Sequence, residues 1–195
     1  KWIRMNRILL FFCLLFGLYS CHTPSTTKTP SDNTVSEFRI TSTQVGAIRK
    51  GMTIKELYAA LPEDRIKKLR TRTELSNETA DYYYIYGDSS RLLLIVNSER
   101  QNDESSRISR IIVKDKRFQT ASGIGLASTV GAIRTAYPHS QFLPSVDEII
   151  LYVPEIDANF EINKRLLPPS LAIDSTGEIA PDSIPVQTKV TDLSI

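Results

Sequence analysis

Apolar positions along the chain change from a helical spacing to strand-like runs, and this order occurs twice. The apolar residues of the first helical segment follow the helical spacing i, i+3, i+4 and i+7: Ile54, Leu57, Tyr58 and Leu61. They share one face of an amphipathic helix, for which Thr53 and Glu56 supply a capping-box pattern and Pro62 a stop. A short strand is predicted ahead of this helix, at 38–40.

Strand-like runs follow the first helix. The β-rich segments 82–86 and 91–96 are separated by Gly-Asp-Ser-Ser at 87–90, which predicts a hairpin with a four-residue loop. Residues 92–96 are apolar at every position, which indicates a strand that is covered on both faces or central in its sheet. The segment 108–113 is predicted to be the next strand of the same meander.

The second series has the same order. Thr129 is the predicted N-cap of a helix that ends before Pro138. The apolar face of that helix contains Val130, Ile133 and Tyr137. Two strands are predicted after it, at 148–153 and 159–163.

The C-terminal segment has a different composition. Four prolines interrupt residues 166–188, so this segment cannot pair continuously as a strand. Residues 189–195 alternate imperfectly, and they either add a terminal strand or hang free.

The repeat can be aligned in two registers. The pentapeptide Val-Gly-Ala-Ile-Arg occurs at 45–49 and again at 130–134, an offset of 85 residues. Matching the helix caps Thr53 and Thr129 gives an offset of 76 instead. We favour the second register because it aligns cap, apolar face and helix stop, whereas the first places a loop on a helix.

These elements predict an α+β fold in which short helices pack on an antiparallel β-meander. Two tandem helix-plus-sheet units are expected, a first unit at 36–120 and a second at 121–195 that includes the proline-rich segment. The segment 21–35 is rich in Thr, Ser and Pro and is predicted to be a flexible tether.

Residues 1–20 have the pattern of a lipoprotein signal peptide. Basic residues precede an apolar run at 8–17, which is too short for a spanning helix of roughly 20 residues. Leu18-Tyr19-Ser20-Cys21 follows and resembles a lipobox, although Tyr19 stands where a small residue is usual. Cleavage before Cys21 leaves a thiol that takes a diacylglyceryl thioether and an amine that can be acylated.

The predicted anchor determines the expected location. The lipids on Cys21 hold the protein at a membrane, since two or more chains bind a bilayer firmly. His22 rather than Asp follows the anchor, which favours the outer membrane of a diderm bacterium over retention in the inner membrane. Cys13 leaves with the signal and Cys21 is lipidated, so no cysteine remains for a disulfide, a metal site or a nucleophile.

Charge argues against a nucleic-acid partner. After residue 20 the chain carries 21 basic and 22 acidic residues, so the basic isoelectric point belongs to the signal. The one dense basic stretch, 65–72, is flanked by acidic residues and is interpreted as a solvated surface.

Catalytic motifs are mostly missing, and no cofactor other than the lipid is expected. The sequence contains no G-x-S-x-G, H-E-x-x-H or P-loop pattern. His139 is predicted to lie at the surface in a helix-exit turn. The acidic pairs at 147–148 and 155–157 are interpreted as turn residues, although glycosidase acids could occupy such strand ends. We therefore predict no catalytic and no metal site.

The run 81–86, Asp-Tyr-Tyr-Tyr-Ile-Tyr, is the strongest lead to a function. Alternation in a strand places Tyr82, Tyr84 and Tyr86 on one face. Rigid aromatic rows are enriched at binding hot spots, while cross-strand packing is the structural alternative. These three tyrosines are the candidate binding site for a protein partner.

The segment Lys50-Gly51-Met52-Thr53, followed by Glu56-Leu57, resembles the K-G-M-T-x-x-E-L segment of small envelope lipoproteins. That group includes the barrel-assembly-machinery accessory lipoprotein and the tandem β-lactamase-inhibitor-like proteins. The resemblance implies an α+β fold and protein binding without catalysis. It assigns Gly51 to a turn and Thr53 to a cap, and it carries over no binding residue.

The expected function is that of a lipid-anchored, non-enzymatic protein of the cell envelope that binds or scaffolds another protein through its sheet surface. Two alternatives stay open. An envelope hydrolase acting on glycan or peptide would need a pocket with His139 or converging carboxylates, and a small-ligand or lipid-binding protein would need an apolar cavity of several hundred cubic ångströms, on the order of known ligand pockets.

Overall fold

A computed structural model describes residues 37–72, 79–143, 145, 148–168, 171, 180 and 183–195. The predicted signal peptide, Cys21 and the tether lie outside the described residues. Contacts group the described residues into one compact unit.

One eight-stranded sheet dominates the fold, and neighbouring strands in it are antiparallel. A small hairpin, β1 (Gln44–Val45) and β2 (Ile48–Arg49), lies outside this sheet. The strands of the first half of the large sheet are β3 (Ile66–Arg72), β4 (Thr79–Tyr86), β5 (Leu92–Ser98) and β6 (Ile108–Val113). Those of the second half are β7 (Gln141–Leu143), β8 (Glu148–Val153), β9 (Ala158–Asn163) and β10 (Asp192–Ser194).

The strand order is β3-β4-β5-β6-β10-β9-β8-β7. Each half is therefore a four-stranded meander, and the two last strands, β6 and β10, join the halves. The predicted α+β class and the antiparallel meander are confirmed. The C-terminal segment 189–195 does add a strand, and that strand lies inside the sheet rather than at its rim.

Two seven-residue helices pack on the sheet, α1 (Ile54–Ala60) and α2 (Val130–Ala136). The Thr53 hydroxyl accepts the Glu56 N–H, and the Glu56 carboxylate accepts the Thr53 N–H at 2.7 Å, so the predicted capping box is present. Thr129 caps α2 through the Ala132 N–H. The helices begin 76 residues apart, as the favoured register requires.

The hydrophobic core is continuous across both halves of the sheet. Ile54 and Leu57 of α1 and Val130 and Ile133 of α2 belong to one cluster of buried side chains. Fully buried strand residues of that cluster include Ile111, Leu151, Phe160, Ile162 and Leu193. Burial of this apolar surface stabilises the sheet and holds both helices on the same side of it.

Several predicted elements need correction. The strand expected at 38–40 consists of isolated bridges, from Arg39 to Gln119 and from Ile40 to Val45. The basic segment interpreted only as a solvated surface forms the edge strand β3, although Lys67 and Lys68 are exposed as expected. The short edge strand β7 was not predicted either.

Candidate functional site

The large sheet has one face covered by the helices and one opposite face, here called the open face. On β4, Tyr83 and Ile85 are buried toward the helices, and the rings of Tyr83 and Tyr58 of α1 meet edge to face at 6.3 Å. The alternate, half-buried residues of β4 belong to the open face: Tyr82, Tyr84 and Tyr86. The three tyrosines thus lie on one face of β4, and their role as a binding site stays a prediction.

An apolar surface extends from these tyrosines over the neighbouring strands. Leu69 of β3 lies opposite Tyr82, and Ile95 of β5 lies opposite Tyr84. Ile112 of β6 continues the row beside Ile95. The Leu69 side chain is 38% exposed. Cross-strand packing thus holds the tyrosines in place without covering them.

A second apolar area lies on the other half of the open face. Ile150 and Tyr152 of β8 alternate with the buried residues of that strand. Leu143 of β7 lies opposite Ile150 and is also 38% exposed. The open face therefore presents an apolar area on each half of the sheet, with a polar centre between them.

The polar centre contains a groove with a volume of about 460 Å³. Arg110 of β6 forms an ion pair with Glu161 of β9, and it donates a hydrogen bond of 2.9 Å to the hydroxyl of Ser194. Ser194 is 1% exposed, so the guanidinium satisfies a buried hydroxyl. The arginine joins the two halves of the sheet across β10.

A second charged group lines the same groove. Lys50, in the loop ahead of α1, forms an ion pair with Asp157 in the turn between β8 and β9. The Tyr152 hydroxyl donates a hydrogen bond of 3.1 Å to the same carboxylate. The Lys50 hydrogen bond is the main reason that the pKa of Asp157 lies below its usual range.

Glu148 is the unusual carboxyl of the groove. It lies on β8, diagonal to Glu161, because Ile150 is the residue directly opposite Glu161. Burial raises the pKa of Glu148, and the charge of Glu161 and a hydrogen bond to it raise that pKa further. The two carboxyl groups are thus placed to share a proton.

The predicted catalytic candidates do not all converge. His139 is exposed, and its Nδ1 lies 3.1 Å from Oε1 of Glu155, away from the groove lining. Glu148 and Asp157, taken from different predicted acidic pairs, line the groove together. Asp147 lies outside the described residues, as does Cys21.

Sequence reasoning missed Arg110, Glu161 and Ser194. They lie on three strands far apart in the chain, and only the strand register brings them together. The available signal was a polar residue at an alternating position of a predicted strand. This signal does not indicate which polar residues of different strands become neighbours in the sheet. In the described part of the chain, no three His, Cys, Asp or Glu residues group as metal ligands would, and no helix there has the length and apolarity to cross a bilayer.

Comparison with known proteins gives a fold neighbour. The uncharacterized protein yfeY from Escherichia coli has a crystal structure that matches with a TM-score of 0.53 and 13% sequence identity, over 80% of this chain and 97% of that chain. At this identity the likeness shows the fold alone. No family model matches the sequence, and no curated protein sequence matches it.

Proposed function

We propose that this chain is a lipid-anchored, non-catalytic protein of the cell envelope that binds another protein through the open face of its sheet. The observation that carries the proposal is the half-buried row of Tyr82, Tyr84 and Tyr86, which adjoins the exposed Leu69. Aromatic side chains with few rotatable bonds lose little entropy on binding and dominate many interfaces. The resemblance of Lys50-Gly51-Met52-Thr53 to envelope lipoproteins that bind proteins supports the same class.

The open face can be tested by site-specific photocrosslinking in intact cells. A benzoyl-phenylalanine at position 69 or 143 is expected to capture one defined protein. The same residue at Ala60, exposed on the helix side, is the matched control and should not capture it. Changing Tyr82, Tyr84 and Tyr86 together to Ala should reduce the captured amount at least tenfold, with the fold checked by circular dichroism. Equal capture from position 60, or an unaltered yield from the triple variant, would contradict the proposal.

The anchor is a separate part of the proposal. We infer that Cys21 carries diacylglycerol and an N-acyl chain and holds the protein at the outer membrane of a diderm bacterium. Metabolic labelling with palmitate should mark the parent chain and leave Cys21→Ser unlabelled. Separation of the two membranes on a density gradient should place the labelled protein in the outer-membrane fraction. Equal labelling of the Ser variant would rule out this anchor.

The tandem organisation is also proposed. We infer that the two halves, 36–120 and 121–195, are copies of one unit. The mirrored strand order, the cap threonines and helices offset by 76 residues, and a shared backbone conformation ahead of each helix support this. The last feature is a φ of 77° at Gly51 and also at Ala127, which occupies the equivalent position.

A hydrolase is the competing proposal, because Glu148, Asp157 and Glu161 line one groove. The arrangement supports it less well. A glycosidase needs a pair of carboxyl groups that are free to contact the sugar between them. In the groove, Asp157 and Glu161 are instead held in ion pairs by Lys50 and Arg110. Hydrolysis of cell-wall glycan by the full chain, abolished by Glu148→Gln, would favour the enzyme.

A further inference from the structure

The acidic groups at the centre of the open face are paired with bases, with one exception. Asp157 pairs with Lys50, Glu161 with Arg110, and Asp192 with Lys114. No Lys or Arg in the described segments forms an ion pair with Glu148. Among the described residues, Glu148 is therefore the carboxyl of the groove that has no base within ion-pair distance.

The surroundings of Glu148 explain why this charge is costly. The charges of Glu161 on β9 and Asp192 on β10 raise the pKa of Glu148, and the charge of Arg110 on β6 lowers it. Arg110 bonds Glu161 and Ser194 instead of Glu148. The edge strand β7 adds no charge, since its residues are Gln141, Phe142 and Leu143. Lys164, which follows β9, donates to the Ser145 carbonyl at 2.8 Å.

A proton can take the place of the missing base. Burial and the Glu161 carboxylate both raise the pKa of Glu148, so the pair holds its proton to a higher pH than an isolated glutamate does. A basic group entering the groove would displace this proton and form a charge-assisted hydrogen bond. The groove is thus electrostatically complementary to an organic cation.

Resting on the proposed function, we infer that the protein partner inserts a Lys or Arg side chain into the central groove against Glu148, and that the interaction strengthens as the pH rises. Charge complementarity selects this occupant, because the groove has the one unpaired carboxyl of the described open face. Ile150, which lines the groove, provides an apolar surface along which the stem of a long basic side chain can pack.

The expected pH dependence of binding follows from the protonation of Glu148. Glu148 must be ionised to accept the cation, so binding is strongest above its raised pKa. Below that pKa, binding should weaken by up to about tenfold for each pH unit, as expected when one proton is displaced.

The experiment uses the full chain in detergent micelles with carbon-13 at the glutamate carboxyl groups. The probe is N-acetyl-arginine methylamide, and its neutral isostere N-acetyl-citrulline methylamide is the control ligand. The arginine probe should shift the Glu148 resonance saturably, with an affinity about tenfold above that of the citrulline probe. Glu148→Gln should remove that preference and its pH dependence. Glu104→Gln, an exposed site outside the groove, should change neither.

Equal shifts with both probes, or a preference that survives Glu148→Gln, would overturn the inference. The proposed function is tested apart from it by crosslinking at positions 69 and 143. A different outcome is crosslinking that depends on the tyrosines and yet is unaltered by Glu148→Gln at every pH. That result would support the protein-binding function and contradict the insertion of a basic side chain of the partner against Glu148. Failure to capture any protein from either position contradicts the proposed function itself.

Discussion

At the scale of single residues, Ala127 has the backbone conformation that Gly51 has at the start of the other helix. Both residues have a φ of 77°. Glycine adopts this left-handed region freely, whereas a Cβ atom makes it unfavourable by roughly 1–2 kcal/mol. The second half of the sheet therefore tolerates strain at a position where the first half avoids it.

Ala127→Gly is expected to stabilise the fold. Relief of the backbone strain exceeds the added flexibility of the unfolded chain, for a net gain of about 0.5–1 kcal/mol in unfolding free energy. Urea denaturation measures the change. Gly51→Ala is the reciprocal variant and should destabilise the fold, because alanine is strained at a φ of 77°. An added Cβ there meets no atom within 4 Å, so the backbone conformation accounts for the whole loss. A loss of stability in Ala127→Gly would contradict this account.

Asp81 is a second residue with an effect beyond its own strand. Its side chain is fully buried, yet it accepts the Asn102 N–H at 2.7 Å and forms ion pairs with Lys68 at 2.8 Å and Arg70 at 3.4 Å. Burial alone would raise the pKa of Asp81, but the Asn102, Lys68 and Arg70 contacts outweigh it and lower that pKa. The carboxylate holds the edge strand β3 and the loop after β5 to the sheet.

Asp81→Asn should destabilise the fold by about 1–3 kcal/mol at neutral pH, a range reduced because Lys68 and Arg70 are partly exposed. Because the pKa of Asp81 is lower in the folded state, its ionised carboxylate stabilises the fold at a pH above the pKa of the unfolded state, about 3.9. This stabilisation is lost as the pH falls through the pKa of the folded state. The difference between parent and variant in urea denaturation should be constant above about pH 5 and shrink below about pH 4. Asp88→Asn, at an exposed ion pair with Arg65, should cost less than about 1 kcal/mol. A difference that stays constant into acid would argue against this role.

At the scale of elements, one pentapeptide adopts two structures. Val-Gly-Ala-Ile-Arg spans β1, its turn and β2 at 45–49, but forms most of α2 at 130–134. Local propensity is the same in both places, so tertiary context and the Thr129 cap decide the outcome. Gly46 occupies the turn with a φ of 56°, whereas Gly131 is helical.

The same substitution should therefore have different effects in the two copies. An added Cβ at Gly46 would lie 2.7 Å from the Glu37 carbonyl oxygen, so Gly46→Ala should cost about 1–3 kcal/mol or more. At Gly131, the gain in helix propensity of about 1 kcal/mol opposes a contact of 3.0 Å with the Val186 Cβ atom, which predicts a change within about 1 kcal/mol. Thermal unfolding of both variants gives the comparison. Equal losses would show that the two glycines have equivalent roles.

The elements also show what the sequence can predict. Both helices, the hairpin and the strands β6, β8 and β9 follow from apolar period and capping residues, which are local signals. The strand β3 could not be predicted in this way, because its basic residues have no local strand signal and are held by Asp81, a partner in the next strand. The groove depends on the register between β6, β10 and β9, which no local pattern specifies.

At the scale of the molecule, the central strand comes from the end of the described chain. Leu193 of β10 is fully buried and lies opposite Val113 of β6 and Phe160 of β9. The Ile195 N–H and carbonyl both bond Ile111, so this short segment completes the pairing of β6. Without β10, the strands β6 and β9 would each lack a partner on the edge that faces the centre of the sheet.

Leu193→Ala should lower the unfolding free energy by about 2–5 kcal/mol and leave one cooperative transition, because both halves share the core around this side chain. Urea denaturation followed by tyrosine fluorescence and circular dichroism measures both. Leu166→Ala, at a leucine that is 69% exposed, should change stability by less than about 0.5 kcal/mol. Two separate transitions in the parent protein would mean that the halves fold independently.

The position of β10 has a consequence for how the chain is made. During synthesis the N-terminal half emerges first, and the backbone groups on the inner edge of β6, at Ile111 and Val113, lack their strand partner until residues 192–195 arrive about 80 positions later. Such an edge can pair with the wrong chain. We therefore expect the nascent chain to depend on a chaperone that shields the β6 edge until residues 192–195 have been made.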